Sequence, residues 1–125
     1  MTNMGGMFYE AAAFNNGEVT NTGSKPLNWD VSKVTDMADM FARTNAFNQD
    51  ISSWVVSNVT NMGGMFEDAT SFKQNLLHWS TNGSGFNAGL SETIQDIFKG
   101  ATEMRNARVA ASPTKSNWAA QTWPA

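Results

Sequence analysis

In the stretch Thr35-Asp-Met-Ala-Asp-Met-Phe41, apolar side chains stand at Met37, Met40 and Phe41 with small or polar residues between them. That i, i+3, i+4 spacing is one face of a helical turn, and Thr35 stands where an N-cap would, so the pattern predicts a short helix. A small-residue turn follows, then Phe47, Asn48 and the run Ile51-Ser-Ser-Trp54-Val-Val56. Its β-branched and aromatic residues predict a short strand.

This arrangement recurs at a fixed step. Trp29, Trp54 and Trp79 are spaced by 25 residues, and the same step relates Met37 to Met62, Met40 to Met65, Phe41 to Phe66, Phe47 to Phe72 and Ile51 to Leu76. Met4, Met7, Phe8 and Phe14 precede their counterparts by 33, and Ile94, Ile97, Phe98 and Met104 follow theirs by 32. Two insertions, near Gly17 to Lys25 and Ser80 to Asn87, account for the longer steps. They are rich in Gly, Asn, Ser and Thr and read as loops. The heptapeptide TNMGGMF, at Thr2 to Phe8 and again at Thr60 to Phe66, is the same element in the first and third repeats.

A single 25-residue repeat cannot bury its apolar face alone, so stacking is required. The expected fold is an α/β repeat solenoid, a leucine-rich-repeat-like stack of about four coils, each a short helix plus a short strand. The coils fall near 2–34, 35–59, 60–91 and 92–104, and 105–125 reads as an irregular C-terminal cap or tail. The repeated Met, Phe, Ile, Leu and Trp positions named above, with Ile94, Ile97 and Phe98, form the expected core.

The pattern Val-Thr-Asp-Met-x-x-Met-Phe followed by Phe-Asn-Gln-Asp-Ile-Ser-x-Trp-x-Val-Ser-Asn-Val-Thr resembles the bacterial surface-protein repeat of about 25 or 26 residues. That repeat occurs in mycoplasma-type lipoproteins and BspA-like leucine-rich-repeat proteins. The likeness is strongest from Val34 to Phe72 and weak after Gly100. It implies a leucine-rich-repeat-like scaffold for surface display, adhesion or protein binding, at the cell surface or secreted, and it carries over no catalytic residue. Residues 1 to 20 lack the basic start and apolar middle of a signal peptide. The first repeat begins at once, so either the sequence is a fragment or the uncapped first coil packs on another chain, and the expected partners are other proteins covering that coil.

Composition narrows the chemistry. The 125 residues carry five Trp, eight Phe and eight Met but no Cys, which excludes disulfides, thiolate metal sites and cysteine nucleophiles. A formal charge of −3 without a basic stripe argues against nucleic acid, and no apolar run reaches membrane-spanning length. The pairs Met4/Met7, Met37/Met40 and Met62/Met65 could suggest thioether ligation, but Ile94/Ile97 fill the same place in the fourth repeat, so they read as core. His78 is the only histidine, and Asp36 and Asp39 become Asn61 and Gly64 in the next repeat. No catalytic, metal or cofactor site is therefore expected.

The function that follows is a non-enzymatic structural or protein-interaction module, on a cell surface or within a larger assembly. The alternative is a carbohydrate or ordered-lattice binder using the Trp row or the Thr2, Thr35, Thr60 row. Residues outside the repeat constraint, Glu18, Asn21, Lys25, Asn82, Phe86, Trp118 and Trp123, are the candidate partner contacts, with the last two also readable as a folded-back cap.

Overall fold

The computed structural model describes residues 2–18 and 25–124, and it uses the Met37, Met40, Phe41 spacing without making a helix. The Met40 N–H donates to the Met37 carbonyl and the Thr44 N–H to the Phe41 carbonyl, both at 3.2 Å, closing two consecutive four-residue turns. Asp39 and Arg43, third in each turn, have φ of 56° and 60°. This is the left-handed sign that a type II turn demands there. Equivalent turn pairs are Met4–Met7 with Phe8–Ala11, Met62–Met65 with Phe66–Ala69, and Ile94–Ile97 with Phe98–Ala101. Their third residues, Gly6 and Glu10, Gly64 and Asp68, Asp96 and Gly100, all have positive φ.

The expected α/β solenoid with leucine-rich-repeat-like coils is therefore corrected. Among the described residues, the regular elements are one α-helix, α1 (Thr102–Asn106), and 3-10 turns at Leu77–Ser80 and Trp118–Ala120. The bridges Asn3–Asp36, Asp36–Asn61 and Thr93–Thr114 are isolated, and the described residues form no sheet. A helix needs right-handed backbone throughout, which the alternating left-handed residues forbid. The expected strand at Ile51–Val56 fails for a related reason: the Trp54 N–H turns back to the Ile51 carbonyl at 3.1 Å.

The turn pairs leave alternate N–H groups pointing sideways, and these join one repeat to the next. Met4, Gly6, Phe8 and Glu10 donate to the carbonyls of Asp36, Ala38, Met40 and Ala42 at 2.8–2.9 Å. Met37, Asp39, Phe41 and Arg43 donate in the same way to Asn61, Gly63, Met65 and Glu67, and Gly64, Phe66 and Asp68 to Gln95, Ile97 and Lys99. Within each of the first three repeats a side-chain oxygen takes one further donor: Asn3, Asp36 and Asn61 Oδ1 accept from Gly5, Ala38 and Gly63 N–H. Backbone satisfaction, normally the work of helix or sheet, is thus achieved by turns.

Rows of rings run across these ladders. Phe8, Phe41, Phe66 and Phe98 stack with centroids 5.5–5.7 Å apart, and Phe14, Phe47 and Phe72 form a second row. Trp29, Trp54, Trp79 and Trp118 make a third, spaced by 6.3–6.5 Å. The indole N–H groups of Trp54, Trp79 and Trp118 donate to the carbonyls of Leu27, Ile51 and Leu76, each at 2.9 Å. Met4, Met37, Met40, Phe41, Phe47, Ile51, Trp54, Met62, Met65, Phe66, Phe72, Leu76, Trp79, Ile94, Ile97 and Phe98 are buried. Two residues expected in the core are not: Met7 is 41% and Trp29 39% exposed, and Phe8 and Phe14 are half-buried. All four sit in the first repeat, whose outer side no described residue covers.

The C-terminal segment closes the far end. Ile94 and Phe98 N–H donate to the carbonyls of Pro113 and Ala111, and the Asp96 N–H to Ser112 Oγ. Lys115 N–H returns to the Glu92 carbonyl, so the segment runs antiparallel to the fourth repeat. The Glu92 carboxylate also accepts the Ser116 hydroxyl and N–H. Those two bonds, the hydroxyl first, hold its carboxyl below the ordinary value of 4.5. A depressed folded pKa means that this contribution is present above the ordinary value and is lost as pH falls through the lower folded value. The protection factor of the Ser116 amide, relative to intrinsic exchange at the same pH, is expected to fall roughly three-fold on that acid limb, and Glu92→Gln should remove the acid step. An unchanged acid step in the variant would assign it to another group.

Candidate binding face at the first repeat

Repeats two to four bury their carbonyl edge against the repeat before them, and the first repeat does not. The carbonyls of Asn3, Gly5, Met7 and Tyr9, equivalent to Asp36, Ala38, Met40 and Ala42, accept no hydrogen bond among the described residues. Beside this row of acceptors lie Met7, Trp29 and Tyr9, the last 46% exposed. Large exposed apolar side chains beside unpaired backbone acceptors mark this end of the molecule as a candidate interaction site.

Charge flanks the face. Glu10 stands next to Arg43, with carboxylate and guanidinium 3.9 Å apart, and Arg43 lies 4.0 Å from Asp68 on its other side. Both pairs are exposed and contribute at most about 1 kcal/mol, so their value is in setting which neighbour fits rather than in stability. The Arg43 guanidinium also lies 5.9 Å from the Tyr9 ring centroid. A shallow depression of about 430 Å³ is lined by Asn3, Gly5, Gly6 and Tyr9 of the first repeat and by Asp36, Ala38 and Asp39 of the second. Asp36 is engaged with the Ala38 N–H at 2.9 Å, and Asp39 holds a left-handed turn position. Neither carboxylate is arranged as half of an acid–base pair.

The candidate contacts chosen from sequence are placed differently from that expectation. Trp118 is fully buried as the fourth member of the Trp row, because the antiparallel return of the chain delivers its ring onto Trp79. Trp123 is half-buried against it, with centroids 4.7 Å apart, and Phe86 meets Trp118 edge-on at 5.1 Å. Glu18 is buried and accepts from Gln49 Nε2 at 3.0 Å. Asn82 Nδ2 donates to the carbonyls of Ser52 and Trp54. Each of these side chains makes contacts within the molecule, and Asn82, Phe86 and Trp123 remain partly exposed. Lys25 is exposed, its backbone N–H held by Gln49 Oε1 at 2.8 Å, and Asn21 lies outside the described residues. The sequence reading missed Tyr9, Asn3, Gly5 and Gly6; the last three lie in the duplicated TNMGGMF, whereas Tyr9 falls just outside it, opposite Glu67.

The polar rows are structural. Asn15 Oδ1 accepts the Asn48 N–H at 2.8 Å, and Asn48 Oδ1 accepts the Lys73 N–H at 2.9 Å. Gln49 and Gln74 Nε2 add bonds to the same oxygens. No group of three or more His, Cys, Asp or Glu side chains among the described residues could hold a metal ion, and His78 is exposed on its 3-10 turn. No described helix is long and apolar enough to cross a membrane.

A family model described as Mycoplasma protein of unknown function, DUF285, matches residues 1–110. No curated protein and no solved structure matches the chain.

Proposed function

Because the chain belongs to the DUF285 family of Mycoplasma proteins, we propose that it is a non-enzymatic interaction module in a surface or structural assembly, engaging a protein partner through the open face of its first repeat. The observation that carries this reading is the contrast between equivalent positions. Met40 and Met65 are fully buried while Met7 is 41% exposed, and Trp54 and Trp79 are buried while Trp29 is not. The likeness to surface repeats of mycoplasma lipoproteins and BspA-like proteins supports a place at the cell surface.

The carbohydrate or lattice reading has less support. Thr35 and Thr60 Oγ1 donate to the carbonyls of Thr2 and Thr35, so the Thr row is engaged with its own backbone. Trp54 and Trp79 are closed to a sugar ring.

Photo-crosslinking on material from the source cell tests the proposal. With benzoylphenylalanine in place of Tyr9, a discrete crosslink to another polypeptide is expected, and the same residue at exposed Ser53 should give none. Equal or absent labelling at both positions would sink the reading.

A further inference from the structure

The ladder between repeats is whole at two junctions and interrupted at one end of the third. Thr35 N–H donates to the Thr2 carbonyl and Met4 N–H to Asp36, and one step on Thr60 N–H donates to Thr35 and Met37 N–H to Asn61, all at 2.7–2.9 Å. The same step from the third repeat to the fourth would pair the Glu92 N–H with the Thr60 carbonyl and the Met62 N–H with the Thr93 carbonyl. Neither bond forms, and the ladder resumes only where the Gly64 N–H donates to the Gln95 carbonyl at 2.9 Å.

The bridges mark the same place. Asp36 is bridged on both sides, to Asn3 and Asn61, whereas Thr93 is bridged only to Thr114 of the C-terminal segment. A cleft of about 110 Å³ lies at the break, lined by Thr60, Asn61, Met62 and Gly63 of the third repeat and by Thr93 and Ile94 of the fourth, among others. Three main-chain groups there, the Met62 N–H and the carbonyls of Thr60 and Thr93, have no hydrogen-bond partner among the described residues. Met62 is 1% exposed, and a buried main-chain donor is almost always paired with protein or with ordered water. With no protein acceptor in place, water is the partner left. A single water needs only about 10–15 Å³ and two to four polar partners, and this cleft supplies the room, one donor and two acceptors.

We propose that the seam between the third and fourth repeats is an ordered-water site. The bound water accepts from the Met62 N–H and donates to the carbonyls of Thr60 and Thr93, standing in for the two ladder bonds that the other junctions make directly. Its lone pairs and two O–H donors match the groups available. An ion would not, since an anion would face two carbonyl oxygens and a cation would face the N–H.

Water-to-amide nuclear Overhauser spectroscopy on the full chain tests the site. A cross-peak with the sign of a long-lived bound water is expected at the Met62 amide and not at Met37, whose N–H is held by the Asn61 carbonyl at 2.9 Å. Protection of the Met62 amide should lie about five-fold below that of Met37, the loss expected when a water bridge replaces a direct bond. Hydroxyl protons can imitate bound water, so the measurement is repeated with Thr60→Val, Ser91→Ala and Thr93→Val combined, which removes the hydroxyls lining the cleft and leaves the main chain in place. The cross-peak should persist. Its loss there, with the shifts of the other amides unchanged, would assign it to hydroxyl exchange and overturn the proposal. Absence of the cross-peak in the natural chain would overturn it as well. With protection equal to that of Met37 it would mean a direct bond from Met62 to Thr93, and with lower protection an amide open to bulk solvent.

Discussion

Trp79→Ala is expected to lower the stability of the chain by about 3–5 kcal/mol, the cost of truncating a fully buried tryptophan. Trp79 is 0% exposed, stacked between Trp54 and Trp118 at 6.5 and 6.3 Å, and in tilted contact with Phe66 at 6.3 Å. Its loss opens a void in the middle of the row and removes the indole N–H from the Ile51 carbonyl, which keeps the Trp54 N–H as a second donor. The ring cost therefore dominates over the hydrogen bond. In a domain whose total stability is about 5–15 kcal/mol, a loss of that size removes a third or more of the margin in most of that range. Trp29→Ala, at the open end of the same row and 39% exposed, should cost roughly 1 kcal/mol, because only one side of its ring has a neighbour to lose. Denaturant midpoints of the two variants measure the difference. Equal costs would mean that the row is not the unit of packing.

The contrast between those two tryptophans also shows what the sequence could reveal. The 25-residue step was legible because the apolar positions that pack across repeats must be the same in each, and Trp54, Phe41 and Phe47 have direct counterparts one step on. Trp118 escaped because its place in the row is reached by an antiparallel return, at a distance along the chain that obeys no repeat step. The local conformation escaped for another reason. Apolar residues at i, i+3 and i+4 suit a helical face, but they equally suit the first and last residues of one four-residue turn and the first of the next. The discriminating residues were the polar ones between them. Gly6, Asp39, Gly64 and Asp96 share one position, and glycine and aspartate are the types that tolerate left-handed backbone. Their alternation has the look of variation on a solvated surface, and it is in fact the backbone constraint that sets the turn.

The adjacent glycines of the third repeat make that distinction measurable. In a helix both Gly63→Ala and Gly64→Ala would stabilise, each by up to about 1 kcal/mol, since alanine is the better helix former. In the turn pair the two changes separate. Gly63 does not have positive φ, and a Cβ there would sit 3.5 Å from Asn61 Oδ1 and 3.6 Å from the Gln95 carbonyl, ordinary contact distances. Its replacement should stay within about 0.5 kcal/mol of neutral. Gly64 has φ of 65°, is buried, and its Cβ would displace the Asp39 carboxylate. The left-handed penalty and that displacement together should cost about 2 kcal/mol, and valine more, because a β-branched residue is a true outlier at positive φ. Thermal or denaturant unfolding of the two alanine variants gives the answer by sign alone. Loss at 64 with neutrality at 63 is what alternating left-handed turns require, and gain at both is what a helix would give. The same measurement bears on the open face, because Gly6 holds the position of Gly64 with no neighbour over it: Gly6→Ala should carry the backbone penalty alone, and the difference between the two sites measures what a docked repeat adds.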